Sequence, residues 1–413
     1  MIYDIKTPDF THTDIQLPSS KSISNRVLII NALSHCPQKI GGLYMSDDIM
    51  AMTKALAQNE SSIDIGAAGT AMRFLTAYFA TQAGIRVLSG TERMKDRPIR
   101  LLVDALRELG ASIEYTEKEG FPPLKISGHT LTGGEIKLDG GVSSQYISAL
   151  LMIAPVMING LRLRLTGEVI SRPYIDLTVG LMRRFGVSVA EEDNVITVPP
   201  QQYSDIGNFS VEADWSAASY WYEMMALCRN SKATVSLSGL KADSMQGDSK
   251  IADLFDKFGV RTVFTDSGVV ISKKNVTVNG FFEYDFLSMP DMAQTVVVTC
   301  AMLGIPFRFG GLQSLRIKET DRLDALCREM LKLGFALEIH NDSALEWRGE
   351  RVETNVSPVI ETYQDHRMAM AFAPAALCLD HGIMIDKPEV VTKSYPSFWG
   401  DLEKAGFLIK IND

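Results

Sequence analysis

The sequence predicts an α/β protein built from two similar domains of three repeated units each. The first observation behind this is a recurring pattern: an amphipathic helix, an apolar–Gly stop, a strand, a tight turn and another strand. The stopping glycines are Gly110, Gly186, Gly259, Gly334 and Gly406, at intervals of 76, 73, 75 and 72 residues. The second is a class of helix, apolar nearly all round, that keeps the same period. A spacing this regular marks duplicated structural units. The third is length: 413 residues suggest two to four domains at roughly 100–200 residues each.

In chain order, the all-round apolar helices are SISNRVLIINAL from Ser22, TAMRFLTAYFA from Thr70, SSQYISALLMIA from Ser143, SAASYWYEMMAL from Ser216, DMAQTVVVTCAML from Asp291 and DHRMAMAFAPAAL from Asp365. A helix without a polar face is a buried helix. Their starts are 48, 73, 73, 75 and 74 residues apart, which implies six units with the first interval short by about 25. The amphipathic helices end at the five glycines, because Gly accepts the positive φ of a helix C-terminus. The alternating apolar residues that follow, as in VRTVFTDSGVVIS after Gly259, fit strands joined by a turn. The short interval has a place. SDDIMAMTKAL, near Ser46, runs almost directly into SSIDIGAAGT, so the first unit is expected to lack its hairpin. No Gly/Ser-rich, Pro-rich or charged tract marks a linker.

Composition narrows the function. Fifty acidic against 41 basic residues give a net charge of −9, which argues against broad binding to nucleic acid or an anionic membrane. The longest apolar run, Ala149 to Ile158, contains Pro155 and is far short of the ~20 residues a spanning helix needs. The N-terminal MIYDIKTPDF is acidic where a signal peptide would be basic. Cys36, Cys228, Cys300, Cys327 and Cys378 have no C-x-x-C spacing and read as buried thiols of a reducing compartment. The six His residues form no metal-ligand cluster. These observations predict a cytoplasmic monomer that acts on small molecules, with no metal and no cofactor.

The polar residues at the starts of the buried helices carry the chemistry. Ser, Thr and Asp there are ordinary N-caps, which covers Ser143, Asp214, Asp291 and Asp365 taken singly. Lys21, Arg26, Arg73 and Arg367 are not caps, and cations near a helix N-terminus oppose the macrodipole. An anionic ligand resolves that conflict. Further cations lie in LSGTERMKDRPIR (Arg93, Lys95, Arg97, Arg100), in RIKETDRLDAL and in VVTKSYPSFW (Lys393). In RIKETDRLDAL, the bland reading of Lys318, Glu319 and Arg322 is one helical face with a surface ion pair. Asp291, Glu319 and His366 sit among these cations, and acids so placed can act as bases. No nucleotide-binding Gly-rich loop is present. A cleft between the domains, built to hold several negative charges, is the expected site.

LPSSKSISNR, AAGTAMR, GTERMKDRPI, SSQYISALLM, SRPYID, DMAQT, KETDR, DHRMAMAF and TKSYPSFW, in this order from residue 17 to 399, resemble the motifs of the 5-enolpyruvylshikimate-3-phosphate synthase family. The resemblance implies the enolpyruvyl-transferase fold, an inside-out α/β barrel in which each domain contains three βαβαββ units. It implies that the chain crosses between domains twice, giving one domain at 20–211 and another at 1–19 plus 212–413. The implied reaction moves the carboxyvinyl group of phosphoenolpyruvate to the 5-hydroxyl of shikimate 3-phosphate through a tetrahedral intermediate, with loss of phosphate.

By motif match, the resemblance assigns shikimate 3-phosphate to Lys21, Ser22, Arg26, Ser143, Ser144, Gln145, Ser171, Asp291, Ser314 and Lys318. It assigns phosphoenolpyruvate to Lys21, Gly69, Arg97, Gln145, Arg322, Arg367 and Lys393. Asp291 would take the 5-hydroxyl proton, and Glu319, with Lys393 as rival, would serve the methylene carbon. Lys21 is also carried over as catalytic. Where the family usually reads N-A-G-T-A-M-R-P, this chain has Ala67 and Phe74, and Ser314 stands where Asn is common. The loop from Gly90 to Arg97 lacks the reactive Cys usual in transferases that act on UDP-N-acetylglucosamine. Other readings are a non-catalytic anion-binding protein of this fold and a nucleic-acid 3′-phosphate-processing protein, the latter opposed by the net charge.

Overall fold

The structure, a computed structural model, describes residues 1–7, 12–34, 37, 39–58, 60–354 and 358–412. The chain divides into two compact units. One is Ser19–Val211; the other joins Met1–Pro18 to Glu212–Asp413.

In the unit Ser19–Val211, strand Ser62–Asp64 pairs in parallel with Gly84–Ser89, and the hairpin strands Leu124–Gly128 and Ser112–Tyr115 complete a four-stranded sheet. The parallel pair is joined by the buried helix Gly69–Ala80, and Arg100–Glu108 leads into the hairpin. Parallel strands need such a crossover, whereas antiparallel ones need only a turn. The pattern repeats with Gly134–Asp139, Leu161–Thr166, Val195–Val198 and Ala190–Glu192, around helices Ser144–Ile153 and Arg172–Arg184. The first repeat is reduced. Its sheet is the two-stranded pair Phe209–Ser210 with Ile40–Gly41. After helix Asp47–Ala57 the chain enters Ser62–Asp64 with no hairpin among the described residues.

The other unit holds three complete four-stranded sheets. Their parallel pairs are His12–Gln16 with Thr234–Ser238, Phe282–Asp285 with Phe307–Gly310, and Val359–Ile360 with Ile383–Asp386. The third sheet is finished by Ile2–Lys6, antiparallel to both Ile383–Asp386 and Leu408–Asn412. The βαβαββ expectation therefore holds, with the first hairpin missing. All five stopping glycines have positive φ, from 80° at Gly186 to 101° at Gly110.

The helices between parallel strands form the core. Every residue of Trp215–Leu227 except Ser216 is buried, as are nine of ten in Ala293–Met302. The strands alternate, as in the exposed and buried positions of Leu161–Thr166, so each sheet gives one face to these helices and one to solvent. Cys228 and Cys300 are buried as expected; Cys327 and Cys378 are only partly so, and Cys36 lies outside the described residues. No described helix is long and apolar enough to cross a membrane.

One buried group opposes the core. Glu223, on Trp215–Leu227, is fully buried, and neither carboxylate oxygen has a hydrogen-bond partner among the described residues. Burial pushes its pKa well above the usual carboxylate value. The folded state therefore keeps a proton that the unfolded chain releases above about pH 4.3, so stability falls as pH rises above that point. Glu223→Met should raise the melting temperature, more at pH 8.5 than at pH 5. A calorimetric difference independent of pH would contradict this.

Candidate active site

Within Ser19–Val211, helix Lys21–Leu33 opens on Ser20, whose hydroxyl accepts from the Ile23 amide. Lys21, its first residue, reaches Asp48 Oδ2 at 3.1 Å. Arg26 is buried and ties three helices together: it donates to Thr178 Oγ1 at 2.7 Å, Ser148 Oγ at 3.1 Å, and the carbonyls of Ser22 and Tyr174 at 2.8 and 3.2 Å. Burial lowers its pKa to about 10. Its guanidinium also lies 5.4 Å from the centre of the Phe74 ring, so the departure at Phe74 gives it an aromatic face.

Helix Gly69–Ala80 has no side-chain cap, and Arg97 lies against its first turn. A Cβ on Gly69 would come within 2.4 Å of the Arg97 guanidinium, so only Gly admits this approach. Arg97 Nε is buried with no partner among the described residues. Gln145 follows the cap Ser143 and donates to Thr70 Oγ1 at 3.0 Å. Ser144 and Ser171 are buried. Ser171 has φ 54° and makes no capping hydrogen bond, a sparsely populated conformation of the kind found at ligand sites.

In the other unit, one guanidinium organises a cluster. Arg322 is 1% exposed. It meets Asp365 Oδ2 at 2.7 Å, Asp291 Oδ1 at 3.0 Å and Glu319 Oε2 at 3.0 Å. Arg367 reaches Asp291 Oδ2 at 3.1 Å, Lys318 reaches Asp291 Oδ1 at 3.4 Å, and Lys393 reaches Glu319 Oε1 at 2.9 Å. Burial by itself would raise the Asp291 pKa, but Arg367, Lys318 and Arg322 outweigh it and hold the carboxyl far below its usual range. The same three-carboxylate shell overcomes burial at Arg322 and raises its pKa. The cluster is delivered by strained backbone: Tyr363 and Gln364, just before Asp365, have φ 53° and 57°. His366 is buried, its Nδ1 3.7 Å from Asp365 Oδ1. The Ser314 hydroxyl is buried with no partner among the described residues.

Several sequence expectations change here. Asp291 lies in the 3-10 turn Pro290–Met292 and does not cap the following helix, whose N-cap is Met292. Its carboxylate faces cations instead. Lys318, Glu319 and Arg322 do not share a helical face: Lys318 is extended, and the helix begins at Arg322 with Asp321 as its cap. Arg73 bonds the carbonyls of Gly69 and Pro98 at 3.2 and 3.1 Å, which satisfies it without an anion. Lys95 and Arg100 make ion pairs with Glu117 and Glu119, and Arg97, like Lys95, is half-buried. Asp48, Asp248 and the ion-pairing role of Asp365 were missed. In sequence, an acid in a first helical turn reads only as a dipole or cap residue. Among the described residues no group of three or more His, Cys, Asp or Glu is placed to hold a metal ion.

A model of the EPSP synthase family, 3-phosphoshikimate 1-carboxyvinyltransferase, matches residues 55–402. The chain belongs to the EPSP synthase family. It is 57% identical, over the whole of both chains, to the 3-phosphoshikimate 1-carboxyvinyltransferase of Bacteroides fragilis strain YCH46. It is 36% identical to that of Sulfurovum sp. strain NBC37-1, covering 97% of this chain and 98% of the other. An EPSP synthase structure from Acinetobacter baumannii aligns with 99% of this chain and 100% of its own at a TM-score of 0.78 and 22% identity. The enolpyruvyl transferase NikO from Streptomyces tendae aligns with 99% of this chain and 98% of its own at 0.74 and 14%. At those identities the two structures speak for the fold alone. The EPSP synthase match takes in the whole Arg322 cluster and the Gly69–Arg97 contact, while Lys21, Ser22 and Arg26 precede it.

Proposed function

We propose that this chain transfers the enolpyruvyl group of phosphoenolpyruvate to the 5-hydroxyl of shikimate 3-phosphate, with release of phosphate, in the shikimate pathway. The observation that carries the mechanism is the Arg322 cluster: two carboxylates, Asp291 and Glu319, each held by cations suited to anionic substrates. As the 5-hydroxyl oxygen attacks the enol carbon of phosphoenolpyruvate, Asp291 accepts its proton. The methylene carbon takes a proton from Glu319, with Lys393, 2.9 Å from it, as the rival donor. The Glu319 carboxylate then takes a proton back from the new methyl group, which expels phosphate from the tetrahedral intermediate and restores the double bond. Preorganised cations stabilise the negative charge throughout.

Arg367, Lys318 and Arg322 stabilise the Asp291 anion and hold down its proton affinity. Bound phosphate and carboxylate groups engage the same cations, weaken their hold on Asp291 and raise its proton affinity. The substrate thereby completes the base.

In this reading, phosphoenolpyruvate draws on Lys21, Gly69, Arg97, Gln145, Arg322, Arg367 and Lys393. The unpaired Arg97 Nε and the uncapped helix beside it support its anion subsite. Shikimate 3-phosphate draws on Lys21, Ser22, Arg26, Ser143, Ser144, Gln145, Ser171, Asp291, Ser314 and Lys318. Two features support it: among the described residues the buried Ser314 hydroxyl has no partner, and Arg26 has partners for four of its five N–H groups.

Purified protein with both substrates should release phosphate in step with shikimate 3-phosphate consumed. No release, or release only with UDP-N-acetylglucosamine as acceptor, would overturn the reading. Gly69→Ala should push Arg97 aside and raise the KM for phosphoenolpyruvate about 10- to 100-fold, the worth of a charge-assisted contact. Shikimate 3-phosphate binding should be nearly unchanged by calorimetry.

A further inference from the structure

Asp248 belongs to none of the matched motifs and has no role in the mechanism above. It lies in the 3-10 turn Gly247–Lys250 and is 6% exposed. Its Oδ2 accepts the Ser216 hydroxyl at 2.5 Å. Ser216 is the second residue of helix Trp215–Leu227, its amide held by the cap Asp214 at 2.7 Å. Its Oγ in turn accepts from Arg367 Nη2 at 3.5 Å, and the same nitrogen meets Asp291 Oδ2 at 3.1 Å. The other terminal nitrogen of Arg367 donates to the Asp291 carbonyl at 3.3 Å. The turn cannot drift from the helix, because the Gln246 side chain donates to Ala213 O at 2.8 Å and accepts from the Trp215 amide at 3.3 Å. A line of polar groups thus runs from the buried Asp248 through the half-buried Ser216 to a cation assigned to phosphoenolpyruvate.

We propose that Asp248 is a positioning residue: through Ser216 it fixes the Arg367 guanidinium in the orientation that receives the anionic groups of phosphoenolpyruvate. This rests on the assignment of Arg367 to that substrate. In this role Asp248 acts through Ser216. As an anion it is the stronger acceptor for the Ser216 hydroxyl, since charge-assisted hydrogen bonds are roughly twice as strong as neutral ones. That polarises Oγ toward Arg367.

The environment makes this tunable. Burial raises the Asp248 pKa to about 6; the Ser216 hydrogen bond and Arg367 oppose the rise, and Asp291 and Asp214 add to it. These groups face it from the start of the helix, from the turn Pro290–Met292 and from helix His366–Phe372. Below about pH 6 the acid takes a proton, the bond to Ser216 weakens and Arg367 is held less well. Asp248→Asn imitates that protonated form at every pH.

The test is the steady-state KM for phosphoenolpyruvate between pH 5 and 8, at saturating shikimate 3-phosphate, in the full-length enzyme. Asp248→Asn should raise KM about 10-fold at pH 8, the scale of one hydrogen bond, with kcat within about threefold. The ratio to wild type should fall toward one at pH 5. Ionisation of the substrate phosphate cancels in that ratio. Ser216→Ala, which keeps the Asp214 cap, should give a similar KM, and Asp248→Asn should then add nothing. A ratio independent of pH, or additive effects of the two changes, would overturn the proposal. If Arg367→Ala left KM unchanged, the subsite assignment itself would fall. If Arg367→Ala raised KM and Asp248→Asn did not, only the positioning role would.

Discussion

Asp291→Asn is expected to reduce turnover by about 10²- to 10⁴-fold, the usual worth of a general base, while both substrates still bind. An amide cannot accept the 5-hydroxyl proton. Its single oxygen can still accept from one of Arg322 and Arg367, which meet different carboxylate oxygens at 3.0 and 3.1 Å, while its NH2 faces the other cation as donor against donor. Since Asp291 does not cap its helix, capping plays no part in the outcome. The variant does lose a negative charge among three cations, so its melting temperature should drop modestly, and less in the presence of shikimate 3-phosphate, which supplies charge of the same sign. Turnover and melting temperature measured on one preparation decide the matter. Turnover within threefold of wild type would remove Asp291 as the base.

Arg322→Met is expected to destabilise the protein by about 3–5 kcal/mol, the cost of removing one partner from a buried ionic cluster, and to abolish activity. Met fills much of the volume but satisfies none of three carboxylates, and Asp365, fully buried, loses its closest cation. Arg322→Lys should do less damage to stability than Met and nearly as much to activity, because one ammonium cannot bridge the span of a planar fork. The stranded carboxylates of the Met variant should be driven to take up protons. Its deficit relative to wild type should therefore shrink as pH falls toward 4. Urea unfolding at pH 7.5 and pH 4.5 measures this, and a deficit of under 1 kcal/mol at pH 7.5 would show that the cluster does not support the fold.

Much of the fold was legible because its information is local. A Gly after an amphipathic helix, or an apolar run without a polar face, announces itself within a dozen residues, and duplication made the signal repeat. The missing hairpin was legible for the same reason, as a shortened period before Thr70. At the site, the cations near the helix starts could be picked out because they violate a local preference. Which of them await a ligand could not. Arg73 and Arg97 look alike in sequence; the structure gives the first backbone carbonyls and gives Nε of the second no partner among the described residues. Asp291 likewise reads as a cap until the neighbours of its carboxylate are known.

Residue spacing and motifs were enough to read off the number of units, the buried helices, the strands between them and the family resemblance. Which charges meet emerged with the folded arrangement. It set Lys21 against Asp48, Arg322 against Asp365 and Arg367 against both Asp291 and Ser216. It also placed the N-terminal strand Ile2–Lys6 in the last sheet, and it paired His12–Gln16 with Thr234–Ser238 across the inserted unit. Helix and strand patterns arise from residues a few positions apart, where backbone geometry fixes who is a neighbour. These ion pairs and sheet partners join residues 27 to 410 positions apart, and nothing in the local chemistry of an Asp or a Val names the partner that the folded chain brings to it.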